Sequence, residues 1–263
     1  MRIEGRMALV TGATGGIGHA IARGLAGRGA KLVLTGRQTE VLGRLARELD
    51  AQVFAVDLAD RRALQHLIER TDDVDILVAN AALPASGRIA ALTGDEIDAA
   101  LDVNLRAPIL LARSLAMRMA ARGSGHLVFI NSLSGKVAAP GASLYNATKF
   151  GLRGFAQSLR QELHGTGVGV STIFPGFIRD AGMFARSGVV LPKGIGTRSP
   201  EEVASAVVRA IEHDRGELDV APAGLRAGAL VAGVAPAVSA TVQRWMGAGK
   251  IADDIARGQR GAR

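Results

Sequence analysis

Seven short apolar runs, separated by stretches whose apolar residues fall three and four apart, constrain this chain more than any other feature. The strand-like runs are Arg6–Thr11, Lys31–Thr35, Gln52–Val56, Val74–Asn80, His126–Asn131, Val170–Phe174 and Glu217–Val220. Between them, Ile17, Ile21 and Leu25 share one side of a helix. Leu42, Leu45 and Leu49 repeat the pattern, as do Leu64, Leu67 and Ile68. Regular strand–helix alternation predicts an α/β fold. A parallel sheet of about seven strands is covered by helices on both faces, because parallel neighbours need right-handed crossovers. The expected strand order is 3-2-1-4-5-6-7, a doubly wound sheet.

No Pro- or Gly-rich linker divides the 263 residues, and no internal repeat is present. Residues 1–249 read as one dinucleotide-binding and catalytic domain, and 250–263 as a flexible basic tail. The net charge is +8, but the arginines are spread along the chain and aromatics make up 3%. That pattern disfavours nucleic acid, whose single strands need stacking platforms. There is no cysteine, which removes disulfides, thiolate metal sites and cysteine nucleophiles. The five histidines lack metal-ligand spacing, and no Gly-x-Ser-x-Gly elbow is present. The start, MRIEGRMALVTG, has no long apolar run, so no signal peptide is expected and the cytoplasm is the expected location.

Between the first strand and first helix stands Thr11-Gly12-Ala13-Thr14-Gly15-Gly16-Ile17-Gly18. Gly12 can make the turn, Gly16 lets backbone approach a pyrophosphate, and Gly18 allows close helix–strand packing. The helix start then presents unpaired N–H groups to phosphate. A flexible turn is the alternative, but the position after a strand favours a Rossmann-like cofactor loop. About 20 residues on, NAD-binding units carry an acid for the ribose 2′-hydroxyl. Here the second strand ends in Leu34-Thr35-Gly36-Arg37, with no acid. A guanidinium at Arg37 can pair with a 2′-phosphate, so NADP(H) is expected over NAD(H). A solvated surface arginine is the other reading. Asp57, beside Leu58, and Asn80, before Ala81 and Ala82, fall at strand ends, as cofactor contacts or as helix caps.

Tyr145 is the sole tyrosine, and Lys149 follows at i,i+4 spacing on the same helix face. A nearby ammonium favours phenolate, so such a pair can move a proton as hydride moves. Ser132 directly follows the fifth strand, where its hydroxyl could hold a substrate oxygen. An exposed helix and a capping serine are the bland readings of the two.

At these residues the chain resembles the short-chain dehydrogenase/reductase family, from about Arg6 to Val220. Ile130-Asn131-Ser132-Leu133-Ser134-Gly135 is similar to the family's serine motif. Tyr145-Asn146-Ala147-Thr148-Lys149 is similar to its active-site motif, and Thr11–Gly18 to its cofactor loop. Asn104, in Asp102-Val103-Asn104, sits where the family has its helix asparagine. The resemblance implies that Tyr145 is the general acid in reduction and the base in oxidation. Lys149 would lower its pKa and bind the nicotinamide ribose. Ser132 would orient the carbonyl oxygen, and Asn104 would hold a water in a relay through Lys149. It further implies that Asp57-Leu58 contacts adenine, that Asn80 with Ala81 and Ala82 supports the cofactor, and that Pro175, Gly176 and Ile178 shape the nicotinamide site. Two positions depart from the pattern: Ala82 replaces a glycine, and Asp180 stands where a threonine usually bonds the carboxamide. Asp180 could accept from that amide, be displaced, or pair with Arg179.

The expected function is NADP-dependent hydride transfer between nicotinamide and a carbonyl or secondary alcohol. A cofactor-binding sensor with little turnover is the alternative. Leu83, Ser134, Leu144, Phe177 and Met183 are candidate substrate contacts, and Ala181–Arg198 a candidate lid. Apolar faces on the helices carrying Asn104 and Tyr145, together with the resemblance, suggest a homodimer or homotetramer. Ala221–Gly247 is interrupted too often to span a bilayer. It reads as a packed helix or oligomer contact, and membrane association is not expected.

Overall fold

The computed structural model describes residues 1–189, 191, 195–245, 249 and 254–258. Among these, seven strands form one sheet in the order β3-β2-β1-β4-β5-β6-β7. They are β1 (Met7–Thr11), β2 (Lys31–Gly36), β3 (Gln52–Ala55), β4 (Ile76–Ala79), β5 (Gly125–Ile130), β6 (Val168–Pro175) and β7 (Glu217–Val220). All neighbours are parallel. The predicted order and strands therefore hold to within one or two residues at most ends.

Period-two alternation divides the strands between two cores. Ala8, Val10, Ile76, Val78, Val128 and Ile130 face one core, where α1 (Gly16–Ala26), α2 (Thr39–Leu49) and α8 (Pro200–Glu212) pack through Ile21, Leu25, Leu42, Val203, Val207 and Ile211. Leu9, Leu77, Leu127 and Phe129 face the other. There α3 (Arg61–Glu69), α5 (Ala107–Arg122) and α6 (Ser143–Glu162) contribute Leu64, Leu67, Leu111, Leu115, Leu152 and Leu159. The three- and four-residue spacing of these residues is what turns one stripe of each helix onto the sheet.

Helix starts are marked by side chains. Asp60 accepts from Arg62 N and Ala63 N to begin α3, and Ser199 with Glu202 forms a capping box on α8. Thr93 and Glu96 do the same for α4 (Gly94–Leu101). From α4 to α5 the helix runs through a π turn at Asp102–Arg106, which holds Asn104. Apolar periodicity carries no sign of that turn.

The chain winds outward from β1 to β3, then returns to place β4 on the other side of β1. Two crossovers diverge there, leaving a crevice at the carboxyl ends of β1 and β4. Two short helices, α9 (Ala223–Val234) and α10 (Pro236–Trp245), follow β7, while α7 (Gly182–Ser187) lies between β6 and α8. Of the expected lid, residues 190 and 192–194 lie outside the described residues, as does most of the expected tail from 250.

Within the sheet, His126 is buried, and its Nε2 lies 2.8 Å from Ser171 Oγ. The Ser171 hydroxyl donates its hydrogen to Arg215 O, so His126 Nε2 carries the proton of a neutral ring. Burial pushes the imidazole down to about 4. An unfolded histidine titrates near ~6.5 and takes up its proton first as pH falls. Stability is therefore full above that pH and is lost as pH drops toward 4, by about 3 kcal/mol from this group. Chemical denaturation at pH 7 and pH 4.5 should show this slope, and His126→Asn should flatten it. An equal slope in the variant would assign the acid sensitivity elsewhere.

Candidate active site

The glycine loop leaves β1 at Thr11 and enters α1 at Gly16. Gly12 has φ +65°, and a Cβ there would lie 2.7 Å from Ala81 Cα. Only glycine meets both conditions. Asn80 holds the loop from below: its Nδ2 donates to Thr11 O at 2.9 Å and Gly12 O at 3.1 Å. The Thr11 hydroxyl accepts from Asn80 N and Ala81 N in return. Asn80 thus positions the cofactor loop, and Thr11, which the sequence reading passed over, is its partner.

One cleft gathers Gly12, Thr14, Gly15, Gly16, Ile17, Gly18, Arg37, Asp57, Leu58, Asn80, Ala81 and Ala82, all predicted cofactor positions. Its wall also includes Thr35, Gln38, Val103, Leu83, Met183 and Arg186. The groups present suit a dinucleotide. The start of α1 has no side-chain cap and no acid in its first turn, so its N–H groups stay free for an anion. The buried Thr35 hydroxyl, in the cleft wall, has no hydrogen-bond partner. Arg37 is exposed at one end, 3.8 Å from Asp57, whose other oxygen accepts from Ala59 N. A second, more open depression between α6 and β7 contains none of these residues, and its Arg160 and Glu217 are already paired with Asp214 and Arg153.

The catalytic candidates converge beyond β5. Ser132 starts a tight turn over Leu133–Gly135, and its hydroxyl accepts from Ser134 N. It also acts on the Tyr145 phenol, favouring its ionised form. Two asparagines that sequence reasoning did not single out hold this turn against α6. Asn131 accepts from Ser132 N and donates to Lys149 O. Asn146 donates to Ser134 O and Val137 O, and accepts from Ala139 N. Lys149 is 2% exposed, its Nζ donates to Ile130 O at 3.0 Å, and it stands 5.7 Å from the Tyr145 ring centre.

Burial governs both titrating groups. It pushes Tyr145 up to about 12, against the Ser132 hydrogen bond, and pushes Lys149 down to about 8. The expected lowering of the phenol by Lys149 is not seen: burial is the largest influence on Tyr145, and Ser132 is the group that opposes it.

The remaining candidates occupy varied settings. The Asn104 side chain bonds Leu83 twice, donating to its O at 2.9 Å and accepting from its N at 2.7 Å. Its amide therefore ties the π turn to the cleft wall at Leu83. Asp180 is exposed, with φ +64°, and lies 3.5 Å from Arg179, the pairing among its three alternatives. The Ile178 side chain packs into the core, while the neighbouring backbone bridges to Arg198. Pro175 and Gly176 end β6 outside the cleft lining, with Gly176 N bonded to Val220 O. Leu144 is buried against Ala85 and Ala100, and Phe177 stacks on Phe184. Gly16 meets Ala181, whose Cβ lies 2.6 Å from where a Gly16 side chain would start, so the lid segment already rests on the phosphate loop.

The short chain dehydrogenase family model matches residues 6–188, and the chain belongs to that family. It is 35% identical over 227 residues to a ketoacyl reductase, HetN, of a Nostoc species, covering 83% of this chain and 79% of that protein. The 3-oxoacyl-[acyl-carrier-protein] reductase FabG of Rickettsia prowazekii is 33% identical over 213 residues, covering 78% of this chain and 88% of that one. Among solved structures, a metagenomic short-chain oxidoreductase in complex with NADP superposes with a TM-score of 0.72 at 33% identity. The match covers 84% of this chain and 99% of that one. The protein is an NAD(P)-dependent oxidoreductase with a Rossmann-like fold.

Proposed function

We propose that this protein is an NADP(H)-dependent reductase of a ketone or other carbonyl, reversible in principle, with Tyr145 as its proton donor. The carrying observation is the Tyr145 phenol lying near enough to Ser132 to feel its hydroxyl, with buried Lys149 beside its ring. The bound cofactor supplies the hydride. As negative charge grows on the carbonyl oxygen, Ser132 holds that oxygen and Tyr145 gives it a proton. A phenol held at about 12 is protonated at neutral pH, the form reduction needs. Lys149, released from Ile130 O, would stabilise the phenolate left behind and hold the cofactor ribose. Asn104 supports the pocket wall through Leu83. Because relatives are named for ketoacyl substrates, 3-oxoacyl thioesters belong first in the substrate panel.

Arg37 is the proposed reader of the 2′-phosphate, released from its loose pairing with Asp57. Arg37→Asp should raise the Kd for NADPH by roughly ten- to a hundredfold and change that for NADH little, the scale of one charge-assisted hydrogen-bond pair. Fluorescence titration with both cofactors measures it, and equal losses would count against the contact. Exposed Met117 on α5 and Phe150 on α6 support a homodimer or homotetramer through these helices.

A further inference from the structure

The last two helices carry their apolar residues on the wrong side for a packed element. Leu230, Val231 and Val234 on α9 are exposed, with Leu230 at 72% and Val234 at 89%. On α10, Val238, Val242 and Trp245 are exposed, with Trp245 at 88%. Positions 230, 231 and 234, and positions 238, 242 and 245, each fall on one helical stripe. Ala229 alone is buried in α9, and no residue is buried in α10. The body holds α10 through a polar contact, Gln243 Nε2 donating to Ala138 O, in the loop that follows Ser132. Of the expected packed helix or oligomer contact, packing against the chain's own body is therefore not what these helices show.

These helices have 12 and 10 residues, and no described helix is long and apolar enough to cross a membrane. They can only lie along a surface. Their charge chooses between occupants. From Ala221 to the C terminus the sequence has six arginines and lysines against two aspartates, and no acid before Asp253. Arg226 and Arg244 are exposed beside the stripes. A second copy would bring two cationic surfaces together, whereas an anionic lipid surface answers both the charge and the stripe. A tryptophan at the end of such a stripe suits the headgroup level of a bilayer.

We propose that α9 and α10 form an interfacial anchor, lying in the headgroup region of an anionic bilayer with Leu230, Val234, Val242 and Trp245 inserted and Arg226 and Arg244 at the phosphates. Trp245 is the sole tryptophan, so its emission reports on this surface alone. The full chain should be titrated with phosphatidylcholine vesicles with and without phosphatidylglycerol. The expected result is a blue shift, and quenching by brominated lipid, on the anionic vesicles, with far weaker partitioning on the neutral ones. Arg226→Ala with Arg244→Ala should lower partitioning by roughly 25-fold. Val234→Asp with Val242→Asp should lower it at least about tenfold. Both pairs are solvent-exposed and none of the four lines the cofactor cleft, so thermal melting and NADPH binding should match the parent. An unchanged emission on both vesicle types overturns the proposal. So does equal partitioning into both, or a blue shift that arises with protein concentration and no lipid, which would assign the face to a second copy.

Discussion

Tyr145→Phe should lower kcat for NADPH-dependent ketone reduction by roughly 10²- to 10⁴-fold, while the Kd for NADPH stays within about twofold of the parent. The substitution removes one oxygen and leaves the ring against its neighbours, so the loss isolates proton donation. The pH dependence adds a second signature. With Tyr145 at about 12 and Lys149 at about 8, the group that titrates first as pH rises is the lysine. Above that value the ammonium loses its proton and can no longer stabilise a phenolate. The kcat/KM for reduction should therefore be level below pH 8 and fall above it, and Lys149→Met should be low throughout with no such break. Steady-state loss of nicotinamide absorbance, with 3-oxoacyl thioesters and simple ketones, provides both readings. A parent that binds NADPH tightly yet turns over no faster than Tyr145→Phe on any substrate would sink the reductase reading and favour the sensor.

The sequence made the frame and the candidate reacting groups legible, because both rest on local pattern. Alternating apolar residues specify strand faces, and Val10 and Leu9 enter opposite cores as that period requires. Tyr145 and Lys149 share a helix face by spacing alone, and Ser132 follows from its place after β5. What remained illegible depends on contacts between distant segments. Asn131 and Asn146 look like ordinary loop and helix residues until the turn at Leu133–Gly135 is laid against α6. Thr11 is indistinguishable from any strand threonine until Asn80 arrives from β4, 69 residues later. Asn104 was placed by resemblance, but the π turn and its two bonds to Leu83 are set by packing that no periodicity encodes. The exposed stripes of α9 and α10 were not legible, because alanine- and valine-rich composition reports apolarity without saying which side of a helix meets the body.

Gly18→Ala should cost both stability and cofactor affinity, although it adds a single methyl to a helix. A Cβ at Gly18 would lie 2.3 Å from Gly12 O, 2.9 Å from Ala13 Cα and 3.0 Å from Asn80 Nδ2. The first two are backbone, and the third is fixed by its own bonds to Thr11 O and Gly12 O, so no flexible side chain can give way. Relief requires the loop to lift from β4, which breaks the Asn80 staple and moves the N–H groups that face the phosphates. Overpacking of this kind costs about 1–3 kcal/mol, or several degrees in Tm for a chain of this size. Misplaced phosphate donors should raise the Kd for NADPH at least about tenfold. Gly43→Ala is the matched control: it lies inside α2, and its Cβ would meet only the tip of Arg47 at 3.8 Å. With no clash to relieve, the helix gains about 0.5–1 kcal/mol and NADPH binding is untouched. Differential scanning fluorimetry and NADPH titration of the two variants separate crowding from helix propensity. A Gly18→Ala protein that melts with the parent and binds NADPH as tightly would mean that the loop is not packed against Asn80 as described.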